Sequence, residues 1–232
     1  MSLSDDLVRN ASNILTSSWS TRRGRGVPDP TDIRLDNDAV QIDGTVLYAD
    51  LAESTSMVMS YRPSVAAEIY KMYLDCTARV IRHRGGIITA YDGDRIMAVF
   101  AGDNKESRAA CAGLHIHYCM LNIINPILRS KYVDITQPIR QSVGIDTGQL
   151  FVARIGIRGS NDLVWVGRPA NYAAKLSAVR NGDYGTWITG DVYERLSSDL
   201  RWSHQYQRTL WEPWRWHTYE IDVYASMWWW RP

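Results

Sequence analysis

Three cysteines in 232 residues leave little scope for covalent bracing. Cys76, Cys111 and Cys119 form no paired framework and read as reduced thiols, which fits a cytoplasmic protein. No apolar run reaches the length of a membrane span. The first residues carry Asp5 and Asp6 where a secretory leader would be apolar, so no signal peptide is expected. A bias of charge is lacking too. The net charge of +1, with 22% charged residues, excludes a polyanion-binding field and a disordered charged tail. The length suits one well-buried domain with decoration, or two small ones. Tryptophan is plentiful: of ten, seven follow position 200. They read as core and subunit-contact mass, because base stacking would need a basic groove and the charges there are mixed. Neither a nucleic acid nor a membrane is expected as a partner.

The stretch Val46-Leu47-Tyr48-Ala49-Asp50-Leu51 organises the rest. It is a strand-like apolar run carrying a carboxylate near its end, although Asp is among the least favoured strand residues. Upstream, residues 5–18 read as a helix with Leu7, Ile14 and Leu15 on one side, and residues 21–30 as a linker broken by Gly and Pro. Its three arginines read as a solvated segment in preference to a phosphate site. Downstream, a turn and a short helix stop at Pro63. Residues 64–84 then place Ile69, Tyr73, Cys76 and Val80 on one helical face, ended by Gly85-Gly86. Two β-rich runs, Ile87–Tyr91 and Arg95–Phe100, flank Asp92-Gly93, a strong hairpin signal. A helix over 105–122 and a strand around Ile139–Ile145, ending at Gly148, complete this series. Gln149–Ile157 reads as a further strand, followed by a Gly-bearing hairpin, Leu163–Val166, and a helix from Pro169 to Val179.

The series is a βαββαβ core. Crossover handedness sets its first strand beside its third, antiparallel, so Asp50 at the end of one meets Asp94 at the start of the other. Two carboxylates side by side need a counter-charge to stay ionised. Oxygen ligands suit Mg²⁺ or Mn²⁺ shared with phosphates. The plain alternative is a turn Asp and a cap Asp that merely lie close. His115, His117 and Cys119 do not make a zinc site, since i and i+2 face apart on a helix. His83 reads as a helix-end residue favoured by the dipole.

Tyr48-Ala49-Asp50-Leu51-Ala52-Glu53-Ser54-Thr55, Arg82-His83-Arg84-Gly85-Gly86, Gly93-Asp94 through Phe100, and Val166-Gly167-Arg168-Pro169-Ala170-Asn171-Tyr172-Ala173-Ala174-Lys175-Leu176 together resemble the class III nucleotidyl cyclase catalytic domain. The resemblance implies an α/β (α+β) fold: a ferredoxin-like core with helices on one face and a hairpin extension. It places the catalytic domain over 43–200, between an N-terminal helix and linker (1–42) and a Trp-rich extension (201–232). It implies head-to-tail homodimers with shared active sites. Two divalent metal ions would sit on Asp50, Asp94 and Leu51, with Asn171 acting on the transition state and Glu53, Ser54 and Thr55 in the phosphate-side turn. Arg168 would add a phosphate contact, or be a plain surface arginine.

Four positions differ from the adenylyl members of that family. Ala90 replaces a base-reading Lys, Val164 replaces an Asp or Thr, Lys175 replaces the transition-state Arg, and Glu53-Ser54 replaces Gly-Phe. Losing both polar base readers gives up purine discrimination. Tyr48, two residues from Asp50 on a strand, faces the same way and can fill the space of a smaller base. These features, the Trp-rich tail and the Thr21–Pro28 segment resemble the Pycsar antiphage pyrimidine cyclases. They imply conversion of UTP or CTP to a 3′,5′-cyclic nucleotide and pyrophosphate. That product would be a second messenger for a separate effector in antiviral defence. The alternatives are an adenylate or guanylate cyclase with an atypical base pocket, and a non-catalytic nucleotide-binding module. Lys175, a point charge in place of a planar fork, leaves the third open.

Overall fold

The computed structural model describes residues 2–232. The chain opens with α1 (Leu3–Thr16), capped reciprocally by Ser2 and Asp5, and β1 (Ser20–Arg23). Next come β2 (Asp38–Leu51), α2 (Ser54–Ser60) and α3 (Pro63–His83). The hairpin β3 (Ile87–Asp92) and β4 (Arg95–Ala101) leads to α4 (Lys105–Cys119), a π-helical turn at Met120–Ile124, and α5 (Asn125–Lys131). The long β5 (Gln141–Ile157) and β6 (Ser160–Val166) precede α6 (Arg168–Leu176), β7 (Thr186–Thr189), α7 (Gly190–Glu194) and α8 (Ser198–Arg201). A small ladder of β8 (Trp202–Ser203) and β9 (Arg208–Thr209), then β10 (Glu212–Trp216) and β11 (Ile221–Ser226), end the chain.

The main sheet runs β10-β11-β7-β5-β2-β4-β3, with β1 added to β2 and β6 to β5. The expected βαββαβ order is present as β2-α3-β3-β4-α4-β5, with β2 antiparallel to both β4 and β5. Alternation along β2 divides the core. Leu47, Ala49 and Leu51 pack with α3 and α4 on one face. Val46 and Tyr48 join Ala170 and Ala173 of α6 on the other. Gly144 on β5 permits that second layer, because a Cβ there would lie 2.2 Å from the Ala173 carbonyl oxygen.

Several boundaries differ from the sequence reading, each through tertiary pairing. The first residues of the expected linker, Thr21–Arg23, join Ser20 in β1, parallel to Asp38–Gln41 of β2. Arg22 of that strand is paired to the buried Asp38 at 2.8 Å. Gly148 does not end a strand: it pairs with Gly44 inside one continuous β5. The helix expected to stop near 122 continues through the π turn to Lys131. Asn125 anchors it there, its amide group bonding to the Met120 and Ile139 carbonyls and to the Ile139 N–H. The β10–β11 hairpin extends the sheet through β7, and Trp211 is buried with its indole N–H bonded to the Leu200 carbonyl at 2.6 Å. The apolar residues of α1 are exposed, since that helix buries none of its side chains in this chain.

Candidate active site

The site is built where β2 ends beside the β3–β4 turn. Register sets Asp50 opposite Arg95 of β4 and Ser142 of β5. Asp92 pairs with Arg95, so Gly93 and Asp94 are the two turn residues; Gly93 takes a left-handed φ of 60°. Asp94 therefore lies just before the partner of Asp50, within electrostatic reach of it. Asp50 is 7% exposed. Burial raises its carboxyl above the ordinary value and the Asp94 charge pushes the same way, against the opposing pull of Arg95 and Arg180. Arg95 Nε lies 3.6 Å from Asp50 Oδ1, an ion pair without a hydrogen bond. Asp94 Oδ2 is buried and has no hydrogen-bond partner among the described residues. An orphaned carboxylate oxygen beside a second acid fits a cation-binding position, and the neighbouring Leu51 carbonyl supplies a further hard oxygen.

Tyr48 and Ala90 flank one residue. Both pair with Met97, in β2 and β3 respectively, and all three belong to the apolar layer under α6. Met97 was not singled out by sequence, being an ordinary apolar residue in an apolar run. Burial pushes the Tyr48 phenol up, keeping it a neutral donor and acceptor. Val164 sits in β6 opposite Ala153, between Leu163 and Trp165, which pack on the Tyr48 layer. Strand alternation turns Val164 away from that layer. Glu53 has a left-handed φ of 59° and leads directly into α2, whose first residues are Ser54 and Thr55.

On α6, Asn171 and Lys175 are exposed and one turn apart. Lys175 is directed at the tail, its Nζ 5.4 Å from the Tyr219 ring centroid. Arg168 is committed elsewhere: it donates to Asp146 at 3.1 and 3.3 Å and to the Thr147 carbonyl at 3.0 Å, and it pairs with Asp191. His115 and His117 do not converge. The first meets Arg84 at 3.0 Å and Cys111 at 3.5 Å, the second meets Gln141 at 3.2 Å. Among the described residues no three His, Cys, Asp or Glu side chains gather into a metal cluster. Arg180, which sequence reasoning passed over, donates to Asp50 Oδ2 at 2.9 Å. Its only local sign is a basic residue just beyond a helix.

No protein-family model matches the chain. It is 46% identical over 233 residues to the uridylate cyclase of Xanthomonas perforans, covering 100% of this chain and 99% of that one. It is 45% identical to the uridylate cyclase of Burkholderia cepacia, covering 99% of each. Among solved structures, the guanylyl cyclase Cya2 superposes with a TM-score of 0.68 at 20% identity, over 83% of this chain and 95% of that one. Likeness along the whole chain, on a cyclase fold with two acids at the end of β2 and the β3–β4 turn, makes this protein a nucleotidyl cyclase of class III, a member of the family that contains the uridylate cyclases.

Proposed function

We propose that the protein converts UTP to 3′,5′-cyclic UMP and pyrophosphate. The observation that carries the pyrimidine assignment is the row Tyr48–Met97–Ala90, which offers an apolar seat with a single phenol. A purine's extra polar edge would be desolvated there with few partners, which costs affinity. A pyrimidine is smaller, and one hydroxyl can donate to or accept from its edge. UTP is chosen over CTP because the full-length relatives are named uridylate cyclases.

Asp50, Asp94 and the Leu51 carbonyl would hold divalent cations, Mg²⁺ or Mn²⁺, which when bound neutralise triphosphate charge and acidify the ribose 3′-hydroxyl. Asn171 orients the ribose. Lys175 meets the charge that builds on the α-phosphate as the 3′-oxygen attacks in line and pyrophosphate departs. The turn at Glu53-Ser54-Thr55 would hold the β,γ-phosphates. In one chain, Lys175 leans on Tyr219 and Asn171 faces solvent. This supports a head-to-tail homodimer in which α6 of one protomer completes the acid pair of its partner. Cyclic UMP would then serve as the signal to a separate effector in defence against phage.

Incubation with equal UTP, CTP, ATP and GTP in Mn²⁺, with products identified by mass, tests this reading. Cyclic UMP in large excess is the expected result, and efficient conversion of ATP would overturn it. A second reading, nucleotide binding without turnover, is favoured by Lys175 in place of an arginine. Absence of every cyclic product would support it.

A further inference from the structure

Arg180 lies four residues beyond the end of α6. Its Nη1 donates to the main-chain carbonyls of Ser177 at 2.5 Å and Val179 at 3.2 Å, so the side chain is folded back on its own segment. That anchorage aims Nη2 at the acids: it donates to Asp50 Oδ2 at 2.9 Å and to the Leu51 carbonyl at 3.3 Å. A single guanidinium nitrogen thus bridges oxygens of two of the three groups assigned above to cation binding. We propose that Arg180 is a resident counter-cation, which fills the inner cation position of the nucleotide-free enzyme and must withdraw before a divalent ion can enter. This rests on the two-carboxylate reading of the site and adds a residue that sets its metal affinity.

Charge and space both force the exchange. Asp50 is buried beside a second carboxylate, and a buried carboxylate needs a partner of opposite charge. Arg95 adds a second counter-charge from 3.6 Å, but the hydrogen bonds to Asp50 Oδ2 and the Leu51 carbonyl come from Arg180. A divalent ion approaches an oxygen to about 2.0–2.1 Å. It cannot do so on the oxygens that Nη2 already bridges, because two cations would then share a gap of a few ångströms. Withdrawal is open to Arg180 and not to Asp50: their side chains are 35% and 10% exposed. Arg180 also borders a cavity of about 540 Å³, shared with Arg140, Gln141 and Asp183, where the Asp183 carboxylate, 3.7 Å from Arg140, offers a second acceptor.

The test is a Mn²⁺ titration of the full chain without nucleotide, followed by the electron paramagnetic resonance of the free ion. Arg180→Gln should bind Mn²⁺ about tenfold or more tightly than the wild type, since a competing charge has gone. Its metal-free melting temperature should fall, and Mn²⁺ should raise it by more than it raises the wild type. Unchanged or weaker binding in Arg180→Gln, with binding still lost in Asp94→Ala, would overturn the role of Arg180 and leave the cyclase site standing. Binding that ignores Asp94 would overturn both. Labelling of wild-type Arg180 by phenylglyoxal, read by mass spectrometry, needs no variant. Mn²⁺ should speed it, and labelling that is unchanged or slower would overturn the proposal.

Discussion

Two of the buried aspartates on the central strands, Asp146 and Asp50, differ in what surrounds them. Asp146, in β5 opposite Val46, is 0% exposed, yet it has a full set of partners. Thr189 donates to it at 2.6 Å and Arg168 through two nitrogens. At the end of β2, among the described residues, Asp50 has only Arg180 as a hydrogen-bonding side chain, and Asp94 beside it keeps an oxygen with no partner. Titration does not separate the two regions, since burial raises both Asp50 and Asp146. Unmet hydrogen-bonding capacity does. A satisfied buried acid ties elements together; an unsatisfied pair is held ready for something the fold does not itself supply.

The largest effects should come from exchanging the carboxylates. Asp94→Asn should abolish turnover, by three orders of magnitude or more given roughly tenfold per 1.4 kcal/mol, while the melting temperature holds or rises because a like charge has been removed beside Asp50. Asp146→Asn should do the reverse. It keeps the bond from Thr189 but weakens the hold on Arg168, costing about 1–2 kcal/mol after allowance for the exposure of that arginine. Turnover per folded molecule should be retained. Urea melts and single-turnover rates on both variants would break the comparison if each acid moved both quantities alike.

Next is α6, which serves both regions from one helix. Lys175→Ala should lower kcat about a hundredfold, the loss of ~3 kcal/mol typical of a missing transition-state donor, while stability falls by no more than the ~0.5–1 kcal/mol of its contact with the Tyr219 ring. Lys175→Arg should match or exceed the wild type, because a planar fork meets phosphate oxygens better than a point charge.

A third region of buried titratable groups behaves as Asp146 does. His115 and His117 on α4 are nearly inaccessible and have their pKa pushed down to about 4, chiefly by burial, with Arg84 adding to the shift at His115. The unfolded chain protonates them near 6.5 while the native state resists until about 4, so stability is full above pH 6.5 and falls as the pH drops towards 4. The loss should be on the order of 3 kcal/mol for each. Urea melts between pH 7 and 4.5 should show it, and His117→Gln should remove part of the slope.

The elements most legible in the sequence were those set by short-range rules. The β-run to Leu51, the Asp-Gly turn, the periodic helix ending at Gly85-Gly86 and the Pro169 start of α6 are local signals. Crossover handedness then sufficed to place β2 against β4, and so Asp50 against Arg95. What escaped was decided by distant partners. Ser20–Arg23 is a strand only because β2 has a free edge segment for it. Asp146 lies inside a strand and is paid no local attention by periodicity, since its partners are 22 and 43 residues away. Arg180 carries no periodic or capping signal, and its contact with Asp50 spans 130 residues.

The smallest effect concerns the tail, where the comparison between holding and acting meets in one aromatic. Tyr219, between β10 and β11, packs on Tyr172 at 4.9 Å and Trp216 at 4.5 Å while its ring faces Lys175. An exposed cation–π contact is worth about 0.5–1 kcal/mol. Tyr219→Leu keeps apolar packing and removes the ring's negative face, so kcat should fall two- to fivefold, the same energy expressed as a rate, with KM little changed. In a Lys175→Ala background the substitution should cost nothing more, because the cation it orients is gone. A full additional loss there would mean that Tyr219 acts through the packing of α6, and the tail would then belong with Asp146 as a brace.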